Sequence, residues 1–339
     1  MNRKAAGISG HGCLGSMFPS TAEVFVFRIG FFAVFSGNPA AIGFVFLCAL
    51  SDSARAMKPN SNYKLVRLAN DTFSIHSTAE KETFHPVVGP VAEAQALYIG
   101  QLKLRERLQQ HDGEFILWDV GLGGGGNVMA VFHATADLPC PLRVVSFDRT
   151  TEALRFALDH AAQLGYVAPY HAPAEEFLKT GRAVFQNGAQ PVCWELQLGD
   201  FPEFLRRAPK APAPHAILFD AYSPAKNPAM WSAPFFGDLY RWLDPGRPCA
   251  MPTYSRSTLL RVTLLLAGFY VGIGHATGEK EETTLAANTL ALLDQPLPRA
   301  WLLRARRSRS AEPLREAVYR QAPLTPATWE KLQLHPQFR

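Results

Sequence analysis

Between residues 115 and 127 the chain reads FILWDVGLGGGGN, a nearly unbroken apolar run followed by a loop that is almost all glycine. The run is too short for a stable helix and reads as a strand buried on both faces. Glycines after such a strand let the backbone turn sharply and let a ligand lie against bare main chain. The next residues, 127–136, have helical composition, so the stretch is a strand–turn–helix unit with a ligand site beyond the strand's carboxyl end.

The rest of the chain repeats that unit. LRVVSFD (142–148), VCWELQLGD (192–200), HAILFDA (215–221) and PCAMPTYS (248–255) read as strands. Helices are predicted over 90–110, where Pro90 suits a first turn, over 151–164, ended by Gly165, and over 201–207, 234–243 and 257–269. Residues 63–77 alternate as a short hairpin. YVGIGHA (270–276) and ETTLAANTLALL (282–293) flank Thr277-Gly278-Glu279-Lys280, a second hairpin turn. Repeated strand–helix alternation predicts an α/β fold: a Rossmann-like, doubly wound, mostly parallel sheet, here closed by a C-terminal antiparallel hairpin.

Hydrophobic residues make up 47% of the 339-residue chain and charged residues 19%, which excludes a disordered protein. Five scattered cysteines with no CxxC argue against a disulfide framework or a structural zinc site and suit a reducing cytoplasm. No His/Cys/Asp cluster calls for a metal. The net charge of +5 is concentrated near the C-terminus, where residues 299–320 hold seven Arg against two Glu. Arg304, Arg306, Arg307 and Arg309 are candidates for contact with phosphate.

Residues 1–56 differ from the rest. The apolar stretch 22–50 is interrupted by Arg28 and Asn38-Pro39, so it makes a poor membrane span. It reads as a signal or anchor, or as an extension upstream of a true start at Met57.

The glycine loop satisfies two patterns. Gly121, Gly123 and Gly126 match a dinucleotide fingerprint, with Asp148 at the distance of a ribose-binding acid. Gly121, Gly123 and Gly125, with Asp119 two residues before, suit S-adenosylmethionine, because a carboxylate so placed repels a pyrophosphate and attracts an ammonium. Asn127 opens the following helix. Asp148, Asp200 and Asp220 stand at successive strand ends. Asp148 suits the ribose hydroxyls and Asp200 an adenine amino group. Asp220 opens a proline-stiffened loop, DAYSPAKNPAMW (220–231), that would stand over a donor's reactive carbon.

LQLGDFP and FDAYSPAKNPAMW, together with DVGLGGGGN and the opening segment FHPVVGPVAEA (84–94), resemble the MnmC-type methyltransferases. These are class I S-adenosylmethionine enzymes that methylate the aminomethyl group of a tRNA wobble uridine. The resemblance runs from about Thr83 to Arg309. It implies S-adenosylmethionine held by Asp119, Gly121, Gly123, Gly125, Asn127, Asp148 and Asp200. It implies an acceptor held by Glu93, Pro224, Asn227 and Pro228, and Asp220 as the acid that orients the amine and helps remove its proton. It also implies tRNA as substrate and separate flavin oxidoreductase or wobble-uridine enzymes as partners. A small free amine is the alternative acceptor, and a dinucleotide oxidoreductase the more distant alternative.

Two departures stand out. Gly124 and Gly126 replace the Thr and Leu common in the family's loop, and the last hairpin reads Gly278-Glu279-Lys280-Glu281-Glu282 where the family carries arginines. Only 43 residues follow Pro296, too few for the flavin half of bifunctional members. The expected organisation is an apolar extension (1–56), an opening hairpin and helix (57–110), a methyltransferase core (111–296) and a basic C-terminal segment (297–339).

Overall fold

The apolar run 115–120 forms β4 (Phe115–Val120), the middle of an eight-stranded sheet in a computed structural model that describes residues 62–207, 211–278 and 280–339. The expectations for residues 1–56 lie outside these residues.

The core follows from alternation along the strands. Side chains on successive residues face opposite sides of a sheet. Leu117 joins Val144, Phe132 and Trp194 in one apolar layer, whereas Trp118 joins Phe147, Ile217 and Phe236 in the other. Both faces are therefore covered by helices, as a parallel sheet requires.

The chain first forms a small antiparallel sheet of β1 (Tyr63–Arg67), β2 (Phe73–Ser77) and β3 (Glu82–Thr83). Then come α1 (Pro90–Ala94), α2 (Leu104–Gln109), β4, α3 (Gly126–Thr135), β5 (Leu142–Asp148), α4 (Glu152–Asp159) and α5 (Ala161–Leu164). They are followed by α6 (His171–Thr180), β6 (Arg182–Asn187), β7 (Gln190–Leu198), α7 (Phe201–Arg206) and β8 (Ala216–Phe219). Last are α8 (Ala233–Trp242), β9 (Ala250–Thr253), α9 (Thr258–Ala267), β10 (Tyr270–Gly274), β11 (Thr283–Ala287), α10 (Trp301–Arg307) and α11 (Pro326–Gln333). The large sheet runs β10-β11-β9-β8-β4-β5-β7-β6. Its centre is parallel, and β10, β11 and β6 are antiparallel to their neighbours.

The doubly wound sheet and its closing hairpin are as expected, but three local readings fail. The single helix over 90–110 is interrupted by a π-helical turn at Gln95–Gly100 and by left-handed Lys103, with φ 49°. At that break the Gln101 amide oxygen accepts from the His275 N–H at 2.9 Å and the Thr283 hydroxyl at 3.2 Å, tying the helix to the closing hairpin. The helix over 151–164 breaks at His160, whose ring nitrogen bonds the Phe156 carbonyl at 2.8 Å while the ring stacks on Phe156. A side chain bonding its own helix in this way competes with the regular ladder. Finally, β6, the hairpin partner of β7, is absent from the expected strands, although Asn187-Gly188 between two strand-like runs is a hairpin signal.

Candidate active site

The β1–β3 sheet lies over the carboxyl ends of the central strands and encloses a cavity of about 820 Å³. One wall is the glycine loop with Asp148 and Asp200, although Gly125, expected to touch the cofactor, turns toward Leu154 and Met129 and does not line it; another is Asp220 with Tyr222 and Asn227. Phe84 and His85 come from the covering segment, Tyr254 from beyond β9, and Lys280 from the tip of the closing hairpin.

The donor side is built from the first βα units. Gly121, Gly123 and Gly125 have φ of 95°, 50° and 76°, in the left-handed region that favours glycine. A Cβ on Gly121 would stand 2.5 Å from the Asp220 carbonyl oxygen, so any side chain there would force β4 and β8 apart. Asp148 ends β5, and its carboxylate accepts the Gly123 N–H at 3.0 Å. Burial raises its pKa against the backbone donors Gly123, Thr150 and Arg149. Asp200 lines the cavity and also caps α7 by accepting the Glu203 N–H at 3.3 Å.

Gly124 and Gly126 lie outside the left-handed region, so it is the space around them and not their backbone that bears on a side chain there. A Cβ at Gly124 would meet Ile75 of β2 at 2.6 Å, and one at Gly126 would meet Pro90 of α1 at 2.7 Å. The rigid Pro90 ring leaves little room for a side chain at Gly126, whereas the Ile75 methyl at Gly124 is the movable end of its side chain.

Asp119 is not on the cavity wall. It lies beneath the loop, 1% exposed, and accepts the Ser146 hydroxyl at 2.7 Å, while Ser146 accepts from the Trp194 indole at 2.9 Å. Burial pushes its pKa up to about 7, opposed by the Ser146 bond. Asn127 reaches the cavity instead. Its amide donates to Asp220 Oδ2 at 2.7 Å, and its own oxygen is a buried acceptor with no hydrogen-bond partner among the described residues.

The wall across from the glycine loop centres on Asp220. His85 Nε2 stands 3.5 Å from Asp220 Oδ2, and His85 Nδ1 stands 3.6 Å from Glu93 Oε2. His85 is held with φ 47°, an unusual left-handed conformation for a non-glycine residue. Burial favours its neutral form, but Asp220 and Glu93 outweigh it and raise the imidazole pKa. Burial also raises Asp220, with His85 and Asn127 opposing. Glu93 is lowered: burial is overcome by its ion pair with His85 and by Lys280. In the sequence His85 belongs to the opening motif but shows no role of its own. Its two carboxylate partners lie 8 and 135 residues away, too far apart for spacing to reveal the cluster.

The proline loop is tied in place from both sides. The Ser223 hydroxyl donates to Glu82 at 2.5 Å, Tyr254 donates to the Ala221 carbonyl at 3.0 Å, and the fully buried Trp231 donates to the Tyr222 carbonyl at 2.7 Å. Pro224 and Pro228 shape this loop without lining the cavity, whereas Asn227 and Glu93 do line it. Arg304, Arg306, Arg307 and Arg309 are exposed on and just after α10 and do not line it. Arg304 lies 3.8 Å from Glu282, and Arg306 lies over the Trp329 ring. Glu282 also bonds buried Arg261 at 3.2 Å, and Glu281 lies 3.9 Å from Arg256, so both of these hairpin acids face arginines of their own chain.

The residues fit S-adenosylmethionine. Asp148 offers a carboxylate to a ribose diol, Asn127 an unmatched acceptor to an ammonium, and the bare glycine loop the close approach both need. A family model described as S-adenosyl-L-methionine-dependent methyltransferase matches residues 171–289. The chain is an S-adenosyl-L-methionine-dependent methyltransferase similar to the MnmC proteins. It is 29% identical over 243 residues to the "tRNA 5-methylaminomethyl-2-thiouridine biosynthesis bifunctional protein MnmC" of Methylibium petroleiphilum, covering 68% of this chain and 35% of that one. It is 30% identical over 253 residues to the protein of the same name from Burkholderia vietnamiensis, covering 70% and 36%. The chain thus spans about a third of the length of the curated relatives it matches. Its fold is that of MnmC2 from Aquifex aeolicus, with a TM-score of 0.59 at 20% identity over 81% of this chain and 85% of that one. The methyltransferase match, over residues 171–289, lies beyond the glycine loop and favours S-adenosylmethionine over a dinucleotide as the ligand of that loop. Among the described residues, no helix of this methyltransferase is long and apolar enough to cross a membrane.

Proposed function

We propose that this methyltransferase converts the aminomethyl group of a tRNA wobble uridine to its methylaminomethyl form, in the cytoplasm. The observation that carries the reading is Asp220. Its carboxylate stands on the cavity wall beside the glycine loop, held by Asn127 and His85. When bound, S-adenosylmethionine supplies an electrophilic methyl on a cationic sulfur.

An amine attacks only after losing its proton, and it needs to be held in line. Asp220 orients the amine and takes that proton. Asn127 keeps the carboxylate in place, and the Ser223–Glu82 bond fixes the loop that carries Asn227 beside it. Tyr222 and Phe84, 5.9 Å apart between ring centres, offer aromatic faces to a base. The tRNA substrate is suggested by the names of the MnmC relatives. The arginines of α10 supply contacts for its phosphates, and the flavin chemistry that the family pairs with methylation falls to a separate partner enzyme.

The acidic cavity, with Glu80, Glu82 and Glu152 also on its wall, favours a small free amine as the second reading. The test is Asp220→Asn, which keeps the shape and the Asn127 contact. Single-turnover methyl transfer to undermodified tRNA should fall by about 10²-fold or more, with donor affinity near wild type. Near-normal turnover would remove Asp220 from the chemistry. Transfer to free amines but not to tRNA would select the second reading.

A further inference from the structure

Asp220 is not alone at the acceptor end of the cavity. His85 stands between it and Glu93, one ring nitrogen toward each carboxylate, 3.5 Å and 3.6 Å away. These separations exceed those of tight hydrogen bonds, as is common before a substrate draws a site together. The arrangement is tertiary in origin: His85 follows β3, Glu93 lies in α1, and Asp220 follows β8. The left-handed backbone at His85, with φ 47°, turns the chain between β3 and α1.

We propose that His85 is a positioning residue for methyl transfer: anchored by Glu93, it holds Asp220 ionised with one oxygen turned to the acceptor amine. The inference rests on the amine-methylation reading above. Both described contacts of the Asp220 side chain, from Asn127 and from His85, go to Oδ2, which leaves Oδ1 for the substrate. In the transfer, the acceptor nitrogen loses its proton to Asp220 and bonds the methyl carbon, and the carbon–sulfur pair stays on sulfur.

A cationic imidazole beside a half-buried carboxylate opposes its protonation. The other charged and titratable groups around the pair are Lys280, which opposes protonation of Asp220 and Glu93, and Glu93, which favours protonation of Asp220. Tyr98 and Tyr254 also face Asp220 and Glu93, with Asp119 beneath and Glu82 beyond. His85 is the one placed between the two carboxylates. Asp220 and then Glu93 raise the imidazole pKa against burial, so a substitution at Glu93 is felt at Asp220 through the ring.

The test uses the full chain, undermodified tRNA and S-adenosylmethionine. Asn tolerates the left-handed backbone, so His85→Asn removes the imidazole without straining the turn. Its kcat should fall about tenfold at pH 7, and the acid limb of the pH–rate profile should move up by about one unit, with KM and donor affinity within about threefold of wild type. In parallel, NMR titration of the His85 ring, identified by its loss in His85→Asn, should show a lower pKa in both Glu93→Gln and Asp220→Asn than in wild type. An unmoved acid limb in His85→Asn would overturn the proposal, as would a His85 titration indifferent to both carboxylates. The ring titration needs no acceptor. A chain inactive on tRNA would therefore refute the substrate reading while the coupling of His85 was still decided.

Discussion

The donor and acceptor halves of the cavity are made in different ways. The donor half comes from three strand ends within residues 120–200, in chain order, each followed by a turn or a helix. The acceptor half gathers Glu82, His85 and Glu93 from the covering segment, Asp220 and Asn227 from the proline loop, Tyr254 from beyond β9 and Lys280 from the closing hairpin. Where a ligand is bound by consecutive units, local sequence is enough to find its contacts. Where it is bound by distant segments, the partners of each residue become visible only once the chain has folded.

The contrast makes a first prediction about the donor half. Asp148→Ala should weaken S-adenosylmethionine binding by about tenfold or more, since a hydrogen bond to a charged group contributes about 1.5–3 kcal/mol. Asp200→Asn keeps the α7 cap and should have a smaller effect. Calorimetry giving wild-type affinity for both would mean that the donor half is not where these strand ends place it.

Asp119 separates support from contact. A carboxylate whose folded pKa is raised stabilises below its unfolded value, near 4, and loses that contribution as pH rises through the folded value, here about 7. Asp119→Asn retains an acceptor for Ser146 and has no charge to bury. Its melting temperature should exceed the wild type's at pH 8, and the difference should shrink as the pH falls to 5. Donor affinity should change little, because Asp119 lies under the loop and not on its surface. A large loss of affinity would return Asp119 to the direct donor contact that the sequence suggests for it.

The smallest effect is expected outside both halves. Replacing Arg304, Arg306, Arg307 and Arg309 with Ala should flatten the salt dependence of tRNA binding, by about 0.7–0.9 in slope for each phosphate no longer neutralised. Arg304 already faces Glu282 and Arg306 lies over Trp329, so Arg307 and Arg309 should account for most of the change. An unchanged slope would leave the acceptor half as the whole of the substrate site.

The strand runs and the glycine loop are legible in the sequence because both are local. An apolar run such as FILWDV can only be buried, and glycines after it can only be a turn. Asp148, Asp200 and Asp220 are legible as acids at the ends of such runs, because a strand's end is fixed by where its apolar residues stop. The helix breaks at Lys103 and His160 are not, because periodicity continues across them and a side-chain hydrogen bond decides the matter.

By itself, then, the sequence determined the buried strands β4, β5, β7, β8 and β9, the closing hairpin and the glycine turn after β4, but not β6. The tertiary structure alone decided that Asp119 sinks beneath that loop, that Gly124 and Gly126 leave room for Ile75 and Pro90, and that His85 stands between Glu93 and Asp220. Burial patterns are set by neighbours in sequence. Close approach and charge pairing are set by neighbours in space, and the covering sheet brings residues 82–93 to a strand end more than 120 residues further along the chain.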